Sequence, residues 1–289
     1  MAKKTALKLK PAYETYVASA KLAAKKLGTA AATSAYKIEV RFLGGLTTAQ
    51  KNAFKTAADR WTKVIVGDLP SVQVDGEVVD DLLILAQGVA IDGPGGILGQ
   101  AGPTHLRPAG AGRSAFLPVK GIMSFDTADL AKMQQNGTLK DVITHEMGHV
   151  IGVGTVWALK GKITGAGTAN PRFTGAAAKT EFGKLKAAGA AEVPVENTGG
   201  AGTRDGHWRE TVFRTELMSG FIAAPGNPLS RMTVASLKDL GYTVDLAKAE
   251  PYLLPNLFAV AAAGVGSTHD RPHALPVVPI TLPDSSLVD

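Results

Sequence analysis

The chain contains no cysteine. Disulfides, thiolate ligands and a cysteine nucleophile are therefore excluded, and a transition metal would have to be held by His, Asp or Glu. Their absence is neutral about compartment, because only small secreted folds depend on disulfides. No apolar run reaches the roughly 20 residues that a membrane-spanning helix needs. The sequence also lacks a GxxxxGK[ST] phosphate loop, zinc-finger spacing, an RNP motif and any internal repeat. Met1-Ala2-Lys3-Lys4 has the basic character of a signal-peptide start, but Lys8, Lys10 and Pro11 interrupt any apolar stretch behind it. The sequence is read as carrying no cleavable secretion signal, which leaves a signal-independent export route open.

What is present suits a globular protein. Apolar residues make up 45% of the 289 and charged residues 19%, enough to build a core and keep it in water. The net charge of +6 raises the question of a nucleic-acid partner, and its location answers it. Residues 1–26 hold seven lysines (Lys3, Lys4, Lys8, Lys10, Lys21, Lys25 and Lys26) against Glu14, while the remainder balances 24 basic with 24 acidic residues. The excess belongs to one end and reads as a solvated extension, with no nucleic-acid partner implied.

Periodicity divides the chain. Residues 1–35 read as a basic Ala/Lys-rich extension, partly helical at most. Ile38, Val40 and Phe42 alternate with charged neighbours as a half-buried strand does. Gly44-Gly45 ends it, Thr47 or Thr48 caps a helix, and Phe54, Ala57, Ala58, Trp61, Val64 and Ile65 form its apolar face. A second strand is predicted over Asp81–Ala90, then a Gly/Pro-rich loop from Asp92 to Gly112. A further strand over Ala115–Phe125 is read as an edge strand, because Pro118 interrupts it. Thr127 caps a short helix ending near Asn136-Gly137. Thr138–Gly152 is the clearest helix, with Thr138 and Asp141 at capping-box spacing and Gly152 as its stop. Residues 153–206 read mostly as loop, with a helix around Lys179–Ala188 and another over Thr233–Leu240. Units are expected at 1–35, 36–152 (with the metal helix), 153–250 and a Pro-rich tail at 251–289.

His145-Glu146-Met147-Gly148-His149 fits H-E-x-x-H. On a helix the two histidines, four residues apart, project from one face and can reach a single tetrahedral ion. Glu146 lies off that axis, where its carboxylate can take a proton from a zinc-bound water whose pKa has fallen towards about 7. The blander reading is a surface helix with chance histidines; the capping, the small residues Gly148 and Gly152 and the immediate helix stop argue against it.

A catalytic zinc normally uses three protein ligands plus water. The remaining histidines are His105, in the Gly/Pro loop, His207, and His269 and His273, in the Pro-rich end. His207 has acids nearby that could orient its ring, and Glu181, Glu192 or Glu196 could serve as a carboxylate ligand. The Asp/Gly-rich loops offer oxygens to calcium, but no EF-hand spacing supports a Ca2+ site.

His145-Glu146-x-x-His149-x-x-Gly152 resembles the opening of the metzincin signature, although position 155 is Thr where that signature has its third histidine. One metzincin family, the leishmanolysin-like peptidases, carries a long insertion at that point. The chain resembles a bacterial-type member of it over His145–Trp157, Pro194–Gly200, Asp205–Met218 and Pro228 to Tyr242. The likeness extends from about Ile38 to Tyr252. It implies an α+β fold, two-lobed and metzincin-like, with a mixed sheet and the active-site helix in an upper lobe above an irregular lower lobe. It implies one catalytic zinc held by His145, His149 and His207, Glu146 as base, and Met218 as the methionine of the turn beneath the metal; by itself Met218 reads as core. A protein or peptide substrate is implied, extended along an edge strand near Val119–Phe125. Without cysteine the family's latency mechanism is missing, and no tyrosine closely follows Met218 to act as an extra ligand. The expected activity is a zinc-dependent endopeptidase. The competing reading is a catalytically idle zinc-stabilised binding or structural module, against which Glu146 argues, since a structural site needs no base.

Overall fold

A computed structural model of the chain describes residues 13–20, 35–200, 202–222, 224–256, 274–275 and 277–288. Its first element, strand β1 (Glu14–Ser19), lies where the sequence suggested only an extension. One buried side chain, Ala18, and one half-buried, Tyr16, were too few to announce it, and antiparallel pairing with β2 (Lys37–Gly44) holds it in place. In β2 the alternation is realised: Ile38, Val40 and Phe42 are buried between partly exposed neighbours.

Helix α1 (Thr48–Val64) begins at a reciprocal capping box, in which the Thr47 hydroxyl and the Gln50 side chain each accept the other's backbone N–H. Its apolar stripe buries Phe54, Ala57, Ala58 and Trp61 completely. Burying a side chain the size of Phe54 contributes roughly 1.5–3 kcal/mol, far above what helix propensity alone supplies. A hairpin of β3 (Val72–Val74) and β4 (Glu77–Val79) leads to β5 (Leu82–Val89).

The Gly/Pro-rich stretch is not all loop. Residues Gly99–Leu106 form strand β6, and β7 (Pro118–Asp126) returns antiparallel to it. The low β-propensity of Gly99, Gly102 and Pro103 concealed β6. Close approach explains these glycines: a Cβ on Gly99 would meet the Ser124 carbonyl at 2.0 Å. After β7 come α2 (Thr127–Asn136), capped by Asp126 and not by Thr127, and α3 (Leu139–Ile151), which ends at Gly152 in the left-handed conformation. The capping box expected at Thr138 and Asp141 does not form. The Thr138 hydroxyl donates to Asn136, while Asp141 accepts from Arg60, Gly226 and Asn227.

The second half is sparser: β8 (Ile163–Thr164), β9 (Arg172–Phe173), α4 (Ala176–Leu185), β10 (Val193–Pro194), α5 (Glu210–Phe213) and α6 (Arg231–Leu240). Strands β11 (Ala274–Leu275) and β12 (Ile280–Thr281) come from the tail. Among the described residues the main sheet runs β1-β2-β5-β7-β6-β11, with β12 also on β6. It is mixed: β2, β5 and β7 are mutually parallel, β1 is antiparallel to β2 and β6 to β7, and the tail strands β11 and β12 lie parallel to β6. With its helices this is an α+β fold.

One expectation is overturned here. Val119–Phe125 lies in β7, which pairs with β5 on one side and β6 on the other, so it offers no free edge. Pro118 suggested an edge, but it is the first residue of the strand, where a missing N–H is tolerated. Among the described residues β6 is the outermost long strand beyond β7, and its outer edge carries the two short tail strands.

Helix α3 packs against α1, β6 and β7. The Trp61 indole N–H donates to the Thr144 carbonyl at 2.9 Å, and a Cβ on Gly121 would meet Val150 at 2.4 Å. The metal-motif helix is thus clamped between α1 and the β6/β7 end of the sheet. No helix among the described residues is long and apolar enough to cross a membrane.

Candidate metal centre

His145 and His149 lie one turn apart on α3, their ring centroids separated by 4.8 Å. His207 reaches them from the loop between β10 and α5. The three Nε2 atoms are mutually close: 3.1 Å for His145–His149, 3.0 Å for His145–His207 and 2.9 Å for His149–His207. Each opposite ring nitrogen is tied to a backbone carbonyl. The Nδ1–H of His145 donates to Leu217 at 2.7 Å, that of His149 to Val153 at 2.9 Å and that of His207 to Thr203 at 2.8 Å.

Those carbonyls settle the chemistry of the cluster. A carbonyl only accepts, so Nδ1 carries the proton in each neutral ring and Nε2 presents a lone pair. Three lone pairs directed at one another repel unless a cation lies between them. Tetrahedral bonds of about 2.0–2.1 Å would place ligand atoms about 3.3 Å apart, so the observed triangle is within a few tenths of an ångström of a filled one. Burial lowers the pKa of His145 to about 3 and of His149 to about 4, and drives His207 well below its ordinary value. All three are therefore neutral at physiological pH, the form that binds metal. The residues fit a divalent ion with His-nitrogen preference.

Glu146 is buried beside His145, and burial alone pushes its carboxyl up to about 8. Met218 packs against α3 at Gly148. A Cβ on Gly148 would come within 2.7 Å of the Met218 Sδ and 2.8 Å of the Trp61 ring. Gly148 thus makes room beside the helix for Met218 and Trp61.

Two features invisible in the sequence hold this arrangement. The first is Glu216, fully buried, which accepts hydrogen bonds from the Met218 N–H (2.6 Å), the Ser230 hydroxyl (2.6 Å) and the Thr233 hydroxyl (2.5 Å). It ties the turn that carries Met218 and the Leu217 carbonyl to the start of α6. The only available signal was an acid within the apolar run around Leu217-Met218. The second is the contact between Gly154 and Gly206. Gly154 has φ +78°, and a Cβ there would lie 2.0 Å from the Gly206 carbonyl oxygen, one residue before His207. Both partners are backbone, so neither can rotate aside. We expect Gly154→Ala to destabilise the fold by at least about 2 kcal/mol and to weaken metal binding at least about tenfold. Urea unfolding together with a chelator-competition titration would check this, and unchanged metal affinity would refute the coupling to His207.

The other candidates fall elsewhere. His105 stands in β6 beside Thr104. Glu181 pairs with Arg231 and Lys184, and Glu192 is exposed. Glu196 receives the backbone N–H groups of Asn197, Thr198 and Glu210, which shapes the loop before His207. No acid orients the His207 ring: Asp205 accepts from Gly167 instead. Thr155, at the position of the third signature histidine, donates its hydroxyl to the His149 carbonyl at 2.7 Å and tightens the turn after α3. His269 and His273 lie outside the described residues. Among the described residues, the three histidines form one of two groupings able to hold a metal, the other being Asp68, Asp80 and Asp81.

An α+β fold in which two histidines of an H-E-x-x-H helix and a third from a distant loop form a buried cluster able to hold a metal fits one class, the metallopeptidases. The sequence profile of the leishmanolysin peptidases matches residues 111–259, just over half the chain, and the chain belongs to that family. The match spans α3, His207 and Met218. No curated protein sequence matches the chain at a significant level.

Proposed function

We propose that the chain is a zinc endopeptidase with His145, His149 and His207 as ligands, Glu146 as general base and Met218 as the floor of the site. The observation that carries the reading is the convergence of three Nε2 lone pairs whose Nδ1 protons are all committed to carbonyls. Zinc bound there supplies Lewis acidity, polarising the scissile carbonyl and acidifying the attacking water.

The chain's own groups do the rest. The carbonyls of Leu217, Val153 and Thr203 hold the imidazoles in orientation, so little reorganisation is needed on binding. Glu146 accepts the proton from the attacking water and passes it to the departing amine nitrogen. Burial raises this carboxyl, and the positive charge of a bound zinc would lower it, a balance suited to an acid that both takes and gives a proton near neutrality. The substrate lies extended along the outer edge of β6, adding a strand through main-chain hydrogen bonds. The contact series Gly102–Gly121–Val150 supports this placement, because it brings β6 within one strand of the helix residue next to His149.

Zinc analysis and casein cleavage test the reading. The protein is expected to bind about one zinc per chain, to lose cleavage on chelation, to regain it with added zinc, and to melt at a lower temperature when stripped. A zinc-loaded protein inert on a range of unfolded substrates would favour the idle-module reading.

A further inference from the structure

The outer edge of β6 is occupied by the chain itself. In register, Ala274 pairs with Gly99, Leu275 with Gln100, Ile280 with His105 and Thr281 with Leu106, all parallel. Between the two ladders Val277 fills the space that a side chain on Gly102 would need, its Cβ 3.0 Å from that position. Immediately afterwards the Leu282 N–H donates to the Leu106 carbonyl at 3.0 Å. These residues run along the edge on which the proposed peptide substrate would have to pair.

The segment is attached unevenly. Downstream it is anchored: Leu282 and Leu287 pack against a cluster of Val72, Val74, Val79, Leu83 and Val119, Asp284 accepts from the Gly110 N–H at 2.8 Å, and the Val288 N–H donates to Ser71. Along β6 it is not. Val278 is 88% and Ile280 64% exposed, so they gain little from burial, and what holds them there is mainly two ladders of two residues. Parallel pairing is the slightly weaker kind. An anchored end keeps the local concentration of this competitor high, on the order of millimolar, while its weak ladders leave it displaceable.

We propose that residues 274–275 and 277–281 act as a built-in competitor for the β6 edge, a strap that must leave before a peptide substrate can dock. The inference rests on the β6 edge being the substrate strand, and its test separates the two. Because the chain has no cysteine, a single engineered disulfide can lock the strap: Gly102→Cys with Val277→Cys, whose Cβ atoms would need to separate by only several tenths of an ångström to reach disulfide spacing. The pair is made in the natural chain and in a zinc-loaded Glu146→Gln background, with the bond verified by mass and opened by a phosphine reductant. Binding of a fluorescent unfolded peptide is followed by anisotropy in the second, and casein cleavage in the first.

The expected result is peptide affinity at least about tenfold weaker in the locked form than in the reduced form, with cleavage suppressed in parallel. Ile280→Pro, at an exposed site, removes the pairing N–H without touching the core and should tighten peptide binding and raise cleavage several-fold. Equal affinity in the locked and reduced forms, with tight binding in both, would overturn the strap. Cleavage that survives locking would move the substrate strand away from β6 while leaving the zinc site intact. A reduced form that binds peptide without cleaving it would instead count against the catalytic assignment and leave the strap supported.

Discussion

Glu146→Gln is expected to keep its zinc and lose peptide cleavage by about 10²–10⁴-fold, the usual weight of a positioned general base. The substitution preserves shape and burial but removes the group that accepts the proton. Zinc retention is part of the expectation, because the three imidazoles are oriented by carbonyls of Leu217, Val153 and Thr203 and not by this residue. The same variant makes an independent prediction on stripped protein. The Glu146 carboxyl has its folded pKa raised to about 8 from an ordinary 4.5. Its contribution to stability is therefore fully present below about pH 4.5 and is lost as pH rises through about 8. Stripped Glu146→Gln should match the stripped natural chain near pH 4.5 and exceed it at pH 9, by an amount of the order of a few kcal/mol. Thermal melts across that range would show it. Parallel pH profiles for the two proteins would mean the carboxyl is not buried, and undiminished cleavage would end its assignment as the base.

His207→Ala is expected to weaken zinc binding at least about a hundredfold, since it removes one of three ligands and leaves two too few for a tight catalytic site. It also removes a buried ring whose Nδ1–H satisfied the Thr203 carbonyl, so a modest loss of stability accompanies the loss of metal. Comparing melts with and without zinc separates the effects: the natural chain should gain stability from zinc, and His207→Ala should gain much less. Chelator competition supplies the affinity. A variant that holds zinc as tightly as the natural chain would exclude His207 as a ligand, and with it the proposed coordination.

How far the site could be read in advance depended on distance along the chain. His145, Glu146 and His149 share one helical turn, so their common face follows from local geometry. His207 is 58 residues beyond His149, and only likeness to a known family singled it out from His105 and the three glutamates. Only its place in an apolar run marked Glu216, because its role consists of neighbours at Ser230 and Thr233 that the sequence does not bring near it. The strand at Gly99–Leu106 was hidden for a related reason. Gly99 is required by close backbone approach to β7 and Gly102 by the Val277 side chain, contacts invisible to propensity, and both glycines made the segment look like loop.

Taken alone, the amino-acid sequence determined the helix that bears the motif, the alternation of β2, the buried face of α1 and that any metal is held without thiolates. Each of these depends on spacings of a few residues, over which backbone geometry is the same in any fold. Tertiary structure decided which carbonyls lock the imidazoles, that the third imidazole completes the triangle, that Val119–Phe125 is interior, and that the tail lies on the outer edge of β6. These depend on chain segments brought together by burial of a shared core, and a one-dimensional pattern carries no record of which distant backbone will arrive beside it.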